Sequence, residues 1–346
     1  MANSKSTPRD KDAGTGPQEH QGPGSISVST SGPLKLTVAA DAPKGANETF
    51  QGRPVVVAPG GEKLVAQDQQ TGEELELVPT GTSSIPHFPK KIYLPSTSSN
   101  PTSSGIAGQT AQSEEYTLVG LGIRTVSFLN IQVYVVGLYV QTTSLQKLQA
   151  KLIKRVNPLA SALIPGEKEQ LRHSLLDPEE SFKIWDELLR DTKHNDLEQD
   201  GVNMAFRIVP TRSTDFNHLR DGWIRGITTR TQDAQRQGSN EYSDDSFGAA
   251  KKELERLFTG KGKAPKGSIV ILTRPADGSM GVLFQAKEDG EVMDLGAVRD
   301  ERIARLVWLG YLGGKNVSSE STRKGVVEGC VELVERPVGT VETKVA

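Results

Sequence analysis

The densest run of apolar and β-branched positions is YTLVGLGIRTVSFLNIQVYVVGLYV, from Tyr116 to Val140. It is too long for one ordinary strand and too rich in Val, Ile, Tyr and Phe for a helix. It therefore predicts two strands joined near Leu129-Asn130, the first half-buried and the second fully buried. Alternation puts Arg124 on the side of Val126 and Phe128, with Thr125 and Ser127 opposite. A guanidinium on an apolar face keeps its charge and must find an anion, carbonyls or water. A structural ion pair or an escape to the sheet edge meets that demand as well as a ligand does.

Downstream, the apolar period changes to three and four. Leu145, Leu148, Leu152 and Val156 predict a short amphipathic helix. Asp177-Pro178-Glu179-Glu180 supplies a cap, a first-turn proline and an early Glu, followed by a stripe of Phe182, Trp185 and Leu189. MAFRIVP (204–210) reads as a strand. Phe216, Leu219, Trp223 and Ile227 predict a helix despite Gly222 and Gly226, and Phe247, Ala250, Leu254 and Leu257 predict another over about 245–258. SIVILTR, GVLFQAK and EVMDLG, separated by Asp277-Gly278 and Asp289-Gly290, form an antiparallel meander. Helices over roughly 300–312 and 322–334 follow.

Residues 1–52 are rich in Gly, Pro, Ser and Thr and poor in large apolar side chains, a composition expected to stay disordered. Residues 53–95 predict a short β-hairpin-like extension and an extended clamp, IPHFPKKIYLP; 96–113 predict a flexible linker, 114–335 the folded domain and 336–346 a tail. The element order describes an α+β fold, a large antiparallel sheet covered on one face by helices, with a ligand cleft expected between the layers.

Composition narrows the partners. Over 346 residues, 41 Lys and Arg stand against 43 Asp and Glu, a net charge of -2 that gives no global attraction to nucleic acid or an anionic membrane. Cys330 is the only cysteine, which excludes an intramolecular disulfide and a zinc-cysteine cluster; on a helix it is expected to be packed. The longest apolar stretch, Val133 to Val140, falls far short of the roughly 20 residues that a membrane-spanning helix needs. The N-terminus has no apolar core and contains acids, unlike a secretory or transit signal.

No P-loop, HExxH or GxSxG motif occurs, and GLGIR lies inside strand-like sequence. His20, His87, His173, His194 and His218 show no paired metal-ligand spacing. His218 sits in polar company on a predicted helix, off its apolar face, where solvent exposure and a weak haem-ligand role both remain open. Tyr134 and Tyr139 occupy opposite faces of the second strand. One of them is expected to present its phenol beside Arg124, and packing with the hydroxyl on the backbone is the alternative.

GLGIRTVSFLNIQVYVVGLYV resembles the signature of the chalcone isomerase superfamily, a glycine-rich strand with an arginine followed by a strand ending in G-x-Y. The stretch from SIVILTR to GYLGG resembles that family's later meander and helix, while IPHFPKKIYLP and TRSTDFNHLRDGWIRGI resemble its fungal branch, the altered-inheritance-of-mitochondria proteins. The resemblance implies an open-faced β-sandwich. It also implies either cofactor-independent ring closure (an intramolecular lyase) or fatty-acid binding through the strand arginine, which Arg124 matches. Tyr134 stands where the family's catalytic threonine is expected, and Asp215 and Gly222 where its helix supplies tyrosine and asparagine; neither can do the corresponding job.

The sequence thus predicts a non-catalytic binder of an apolar, carboxylate-bearing molecule, fatty acid or haem. Arg124, Tyr134, Tyr139, Asp215 and His218 are the candidate ligand-binding residues. No cofactor is required, haem is not excluded, and no nucleic acid or transmembrane segment is expected. The alternatives are a lyase using Arg124 and Tyr134 on an unknown substrate, and an interaction module whose cleft is filled by its own side chains. The resemblance points to mitochondria, whereas the N-terminus by itself reads as cytoplasmic.

Overall fold

A computed structural model of the chain describes residues 48–58, 61, 63–67, 72–96, 113–127, 129–190, 201–335 and 337. The expected leader up to residue 47, the linker from 97 to 112 and the tail beyond 337 lie outside the described residues.

The long apolar run forms β7 (Ser113–Val126) and β8 (Ile131–Gln141), joined by a turn in which Ser127 and Asn130 take φ of 63° and 50°. As expected, β7 is half-buried and β8 is buried without a break from Tyr134 to Val140. Around them β6 (Lys91–Pro95), β9 (Met204–Pro210), β12 (Ile269–Arg274), β13 (Met280–Gln285) and β14 (Val292–Val298) complete a seven-stranded antiparallel sheet in the order β14-β13-β12-β9-β8-β7-β6. Two-residue strands β10 (Thr214–Asp215) and β11 (Lys263–Ala264) form a separate bridge.

Alternation along β8 sends Tyr134, Val136, Leu138 and Val140 into the main core beneath the helices, and Val135 and Tyr139 into a second core on the other face. That second face is covered by a structure larger than the expected hairpin and clamp. β1 (Thr49–Phe50), β2 (Arg53–Val57), β3 (Leu64–Gln67), β4 (Glu74–Pro79) and β5 (His87–Pro89) form a five-stranded antiparallel meander. From it Phe88, fully buried, packs with Tyr116, Leu118 and Tyr139.

The helical layer comprises α1 (Leu145–Val156), α2 (Pro165–Leu176), α3 (Pro178–Arg190), α4 (Phe216–Arg236), α5 (Asp245–Phe258), α6 (Glu301–Leu312) and α7 (Glu320–Leu333). The Asp177 carboxylate caps α3 as predicted, accepting from the amides of Glu179 and Glu180 at 2.9 and 2.8 Å. Phe182 departs from the predicted stripe: it stays exposed, and Ile184 and Leu188 join Trp185 and Leu189 in the core. α2 was not predicted, because only Leu171 and Leu175 of its residues are buried. Cys330 is packed inside α7, where burial pushes its thiol up to about 12.

One buried charge ties the layer together. Arg305 of α6, fully buried, donates to Asp186 at 2.8 Å and to Glu301 at 3.1 Å, and also pairs with Glu241. Burial alone would raise the Glu241 carboxyl, but hydrogen bonds from Arg190 and the charge of Arg305 hold it at about 2 against an ordinary 4.5. Glu241 therefore takes up its proton less readily folded than unfolded. Its stabilising contribution is complete above pH 4.5 and is lost as the pH falls toward 2. Denaturant titrations from neutral pH down to about pH 3 are expected to show a shallower acid loss for Glu241→Gln than for the wild type. Equal losses would place the acid sensitivity elsewhere.

Candidate functional site

Arg124 and Tyr134 are direct cross-strand partners on β7 and β8, so both side chains leave the same face, toward the helices. The ladder shifts register immediately after Arg124. Beyond this bulge the strand runs out to exposed Val126, so the apolar side that alternation assigned to Arg124 ends at the bulge. Phe128 lies outside the described residues.

The other wall is the start of α7. Glycines on both partners let this helix lie directly on β7: a Cβ on Gly120 would fall 2.3 Å from the Gly325 oxygen, and one on Gly122 would fall 2.2 Å from the Thr322 nitrogen. The Ser319 hydroxyl caps the helix, taking the Thr322 amide at 3.1 Å, and donates to the Ile123 carbonyl at 3.0 Å. The Ile123 amide donates to the Ser321 hydroxyl at 3.2 Å. Arg124 Nη1 donates to the Ser318 carbonyl at 2.7 Å, and its guanidinium carbon lies 5.8 Å from the centroid of the Tyr134 ring. No carboxylate pairs with Arg124 among the described residues. Next to these contacts opens a pocket of about 410 Å³ lined by Ile123, Thr125, Gln132, Val317 and Ser318 to Ser321; Arg124 is not part of its lining and meets it only through the Ser318 carbonyl.

Deeper in, between sheet and helices, polar aromatic side chains of β8, α4 and α6 meet. Trp223 Nε1 of α4 donates to the Tyr311 hydroxyl of α6 at 3.0 Å, and that hydroxyl lies 2.7 Å from the hydroxyl of Tyr134. The Phe206 ring packs 4.8 Å from Tyr311 and 4.9 Å from Trp308. Burial, reinforced by the adjoining Tyr311, raises the Tyr134 phenol well above its ordinary value although the Arg124 charge pulls it down. Burial raises Tyr311 as well. Both phenols are therefore protonated hydrogen-bonding groups at neutral pH.

Three other candidates lie elsewhere. Tyr139 faces the second core, where its hydroxyl donates to the Pro89 carbonyl at 2.6 Å; a single residue of strand offset from the Tyr134 face accounts for this. Asp215 is the N-cap of α4, accepting from the His218 amide at 3.0 Å. His218 stands on the first turn of α4 with 77% of its side chain exposed and its ring 3.8 Å from Asp215. An axial haem ligand in a cleft needs an imidazole turned inward, and this one turns outward. Gly222 borders open space. Among the described residues no cluster of His, Cys, Asp and Glu could hold a metal ion, and no helix is long and apolar enough to cross a membrane.

Tyr311, Trp223 and the Ser318–Ser321 segment escaped the sequence reading. The available signals were a Tyr and a Trp within apolar helical stripes, each with a polar atom to satisfy, and a serine run before α7.

The chain is similar to several known proteins. A Debaryomyces hansenii protein named altered inheritance of mitochondria protein 18, mitochondrial, is 31% identical over 67% of this chain and 72% of its own length. Its namesake from Kluyveromyces lactis is 29% identical over 64% of this chain and 66% of its own. The crystal structure of an Arabidopsis thaliana fatty-acid binding protein is similar with a TM-score of 0.45 at 15% identity, covering 78% of this chain and 98% of that one. Residues 114–327, which hold the sheet from β7 onward together with α1 to α6 and most of α7, match the chalcone isomerase like family, and the chain belongs to that family.

Proposed function

We propose that the protein is a non-catalytic binder of an apolar molecule bearing a carboxylate, with Arg124 receiving the head group. The observation that carries this reading is the state of Arg124. It is half-buried, held by one main-chain carbonyl and an aromatic ring, without a carboxylate partner among the described residues. A guanidinium has five N–H donors, and a carboxylate is the group that fits two of them at once. A pocket of about 410 Å³ shares the Ser318 wall with Arg124 without being lined by it, so a head group held by Arg124 would enter past Ser318; its volume falls in the range of roughly 300–1,000 Å³ typical of small-molecule sites. A fatty acid and the propionates of haem offer the same head group. The name shared by the fungal relatives supports a mitochondrial location.

The aromatic filling beneath α4 and α6 favours a second reading, an interaction module in which Arg124 is structural. Mass spectrometry of small molecules extracted from the native protein separates the two. A carboxylate amphiphile retained by the wild type and lost from Arg124→Ala is expected, and the same empty extract from both proteins would favour the module.

Ring closure depends on positioned groups around a phenolate. Asp215 is committed to a helix cap and Gly222 has no side chain. Hydroxychalcones are therefore expected to cyclise at the spontaneous rate in the presence of the protein. Acceleration abolished by Arg124→Ala would put the lyase reading first.

A further inference from the structure

The fold gathers on one end of the main sheet charges that lie far apart in the chain. Strand register places the β7–β8 turn, the segment after β9 and the segment before β12 at that end: Tyr134 pairs with Pro210, the Thr211 amide donates to the Val133 carbonyl at 3.0 Å, and the Gly267 amide donates to the Pro210 carbonyl at 3.0 Å. Arg212 leaves the first of these segments, and Lys261, Lys263 and Lys266 leave the second. All four are exposed, and none has a side-chain hydrogen bond or ion pair among the described residues. Asp215, opposite Lys263, is committed to capping α4; the β13–β14 turn, brought to the same end by the pairing of Gln285 with Ile269, carries Glu288, paired with Arg207, Asp289, paired with Lys287, and Glu291. At the β7–β8 turn on the same end, Leu129 is 66% exposed and Val126 39%.

With Glu288 and Asp289 taken up by Arg207 and Lys287, these four cations outnumber the remaining acids of this end, a local excess opposite in sign to the net charge of -2. An anionic lipid surface satisfies both halves of the feature, phosphates taking the cations and the acyl boundary taking Leu129 and Val126. We propose that this end of the sheet docks on an anionic bilayer. The pocket that shares Ser318 with Arg124 opens at the same end, between Thr125, Gln132 and the start of α7. Where the ligand reading holds, docking brings that pocket to the surface from which an amphiphile would be collected. The docking itself does not depend on that reading.

The test is co-sedimentation of the full chain with vesicles of phosphatidylcholine, alone or with phosphatidylglycerol added. Binding to the anionic vesicles only, released by salt at about 0.5 M, is expected. Each surface cation strengthens such binding about fivefold, so Lys263→Glu/Lys266→Glu is expected to lower partition at least tenfold. Leu129→Ser is expected to lower it severalfold. Lys154→Glu, a control on α1 at the opposite end of β8, is expected to leave it unchanged. Arg124→Ala is expected to lose the carboxylate ligand and keep the vesicles, so failure of one reading is distinguishable from failure of the other. The proposal is overturned by equal binding to neutral and anionic vesicles or by wild-type partition of the double reversal. Displacement from the vesicles by an oligonucleotide or by polyglutamate, through the same four cations, would overturn it as well.

Discussion

Gly329→Ala is expected to destabilise the protein by roughly 3 kcal/mol or more, the upper end of overpacking. Two effects oppose each other at this site. Alanine in a helix interior is favoured over glycine by about 1 kcal/mol, which alone would stabilise α7. Against this, a Cβ on Gly329 would lie 1.7 Å from the Val119 carbonyl oxygen, and one on Gly325 would lie 2.1 Å from the Leu121 oxygen. Neither contact is with the movable end of a side chain. Helix and strand would have to separate by more than an ångström, opening the core around Val326, Val327 and Cys330. The contact term therefore wins. Gly222→Ala serves as the internal control: it is helical and has open space around it, so it is expected to gain about 0.5–1 kcal/mol. Denaturant midpoints of the wild type and the two variants decide the matter. A stabilised Gly329→Ala would mean that helix propensity, not the backbone contact, governs the position.

The same contact sets the functional geometry. α7 lies on β7 closely enough for Ser318, Ser319 and Ser321 to reach Ile123 and Arg124, so the glycines that cost helix propensity bring together the wall of the pocket. Gly325→Ala is thus expected to disturb the surroundings of Arg124 as well as stability.

Legibility in the sequence followed the range of the interaction. Strands and helices with a strong local period were readable: β9, α5 and α6 lie where alternation or the three-four step put them. The half-buried and buried character of β7 and β8 was readable for the same reason. Weak periods were not, as α2 shows with two buried leucines in twelve residues. The five-stranded meander looks like a hairpin in the sequence because its short strands are interrupted by Gly and Pro, and its burial comes from contact with the far face of the main sheet.

At the site, Arg124 and Tyr134 were legible because a charge and a phenol on an apolar strand each demand a partner. The partners were not. Tyr311 lies 177 residues from Tyr134, and Ser318 lies 194 from Arg124, so no local pattern joins them. His218 misled through its polar neighbours, which form a helix start and not a cleft. The cations at the sheet end were hidden likewise, since Arg212 and Lys261 to Lys266 meet only through strand register.

Arg124→Ala is expected to weaken binding of a carboxylate ligand about ten- to a hundredfold, the equivalent of the roughly 1.5–3 kcal/mol that a hydrogen bond to a charged group contributes. Arg124→Lys is expected to recover part of that, because an ammonium keeps the charge and loses the planar fork. The Ser318 carbonyl would lose its partner in Arg124→Ala, but it stands beside an open pocket where water can replace the guanidinium. The fold should therefore survive, and the loss should appear in binding. The most direct test is calorimetric titration of wild type, Arg124→Ala and Arg124→Lys with a long-chain fatty acid and with haem. The binder reading predicts affinity in the order wild type, Lys variant, Ala variant for at least one of the two ligands; equal affinity of all three proteins for both would contradict it and leave Arg124 as a brace between β7 and the start of α7.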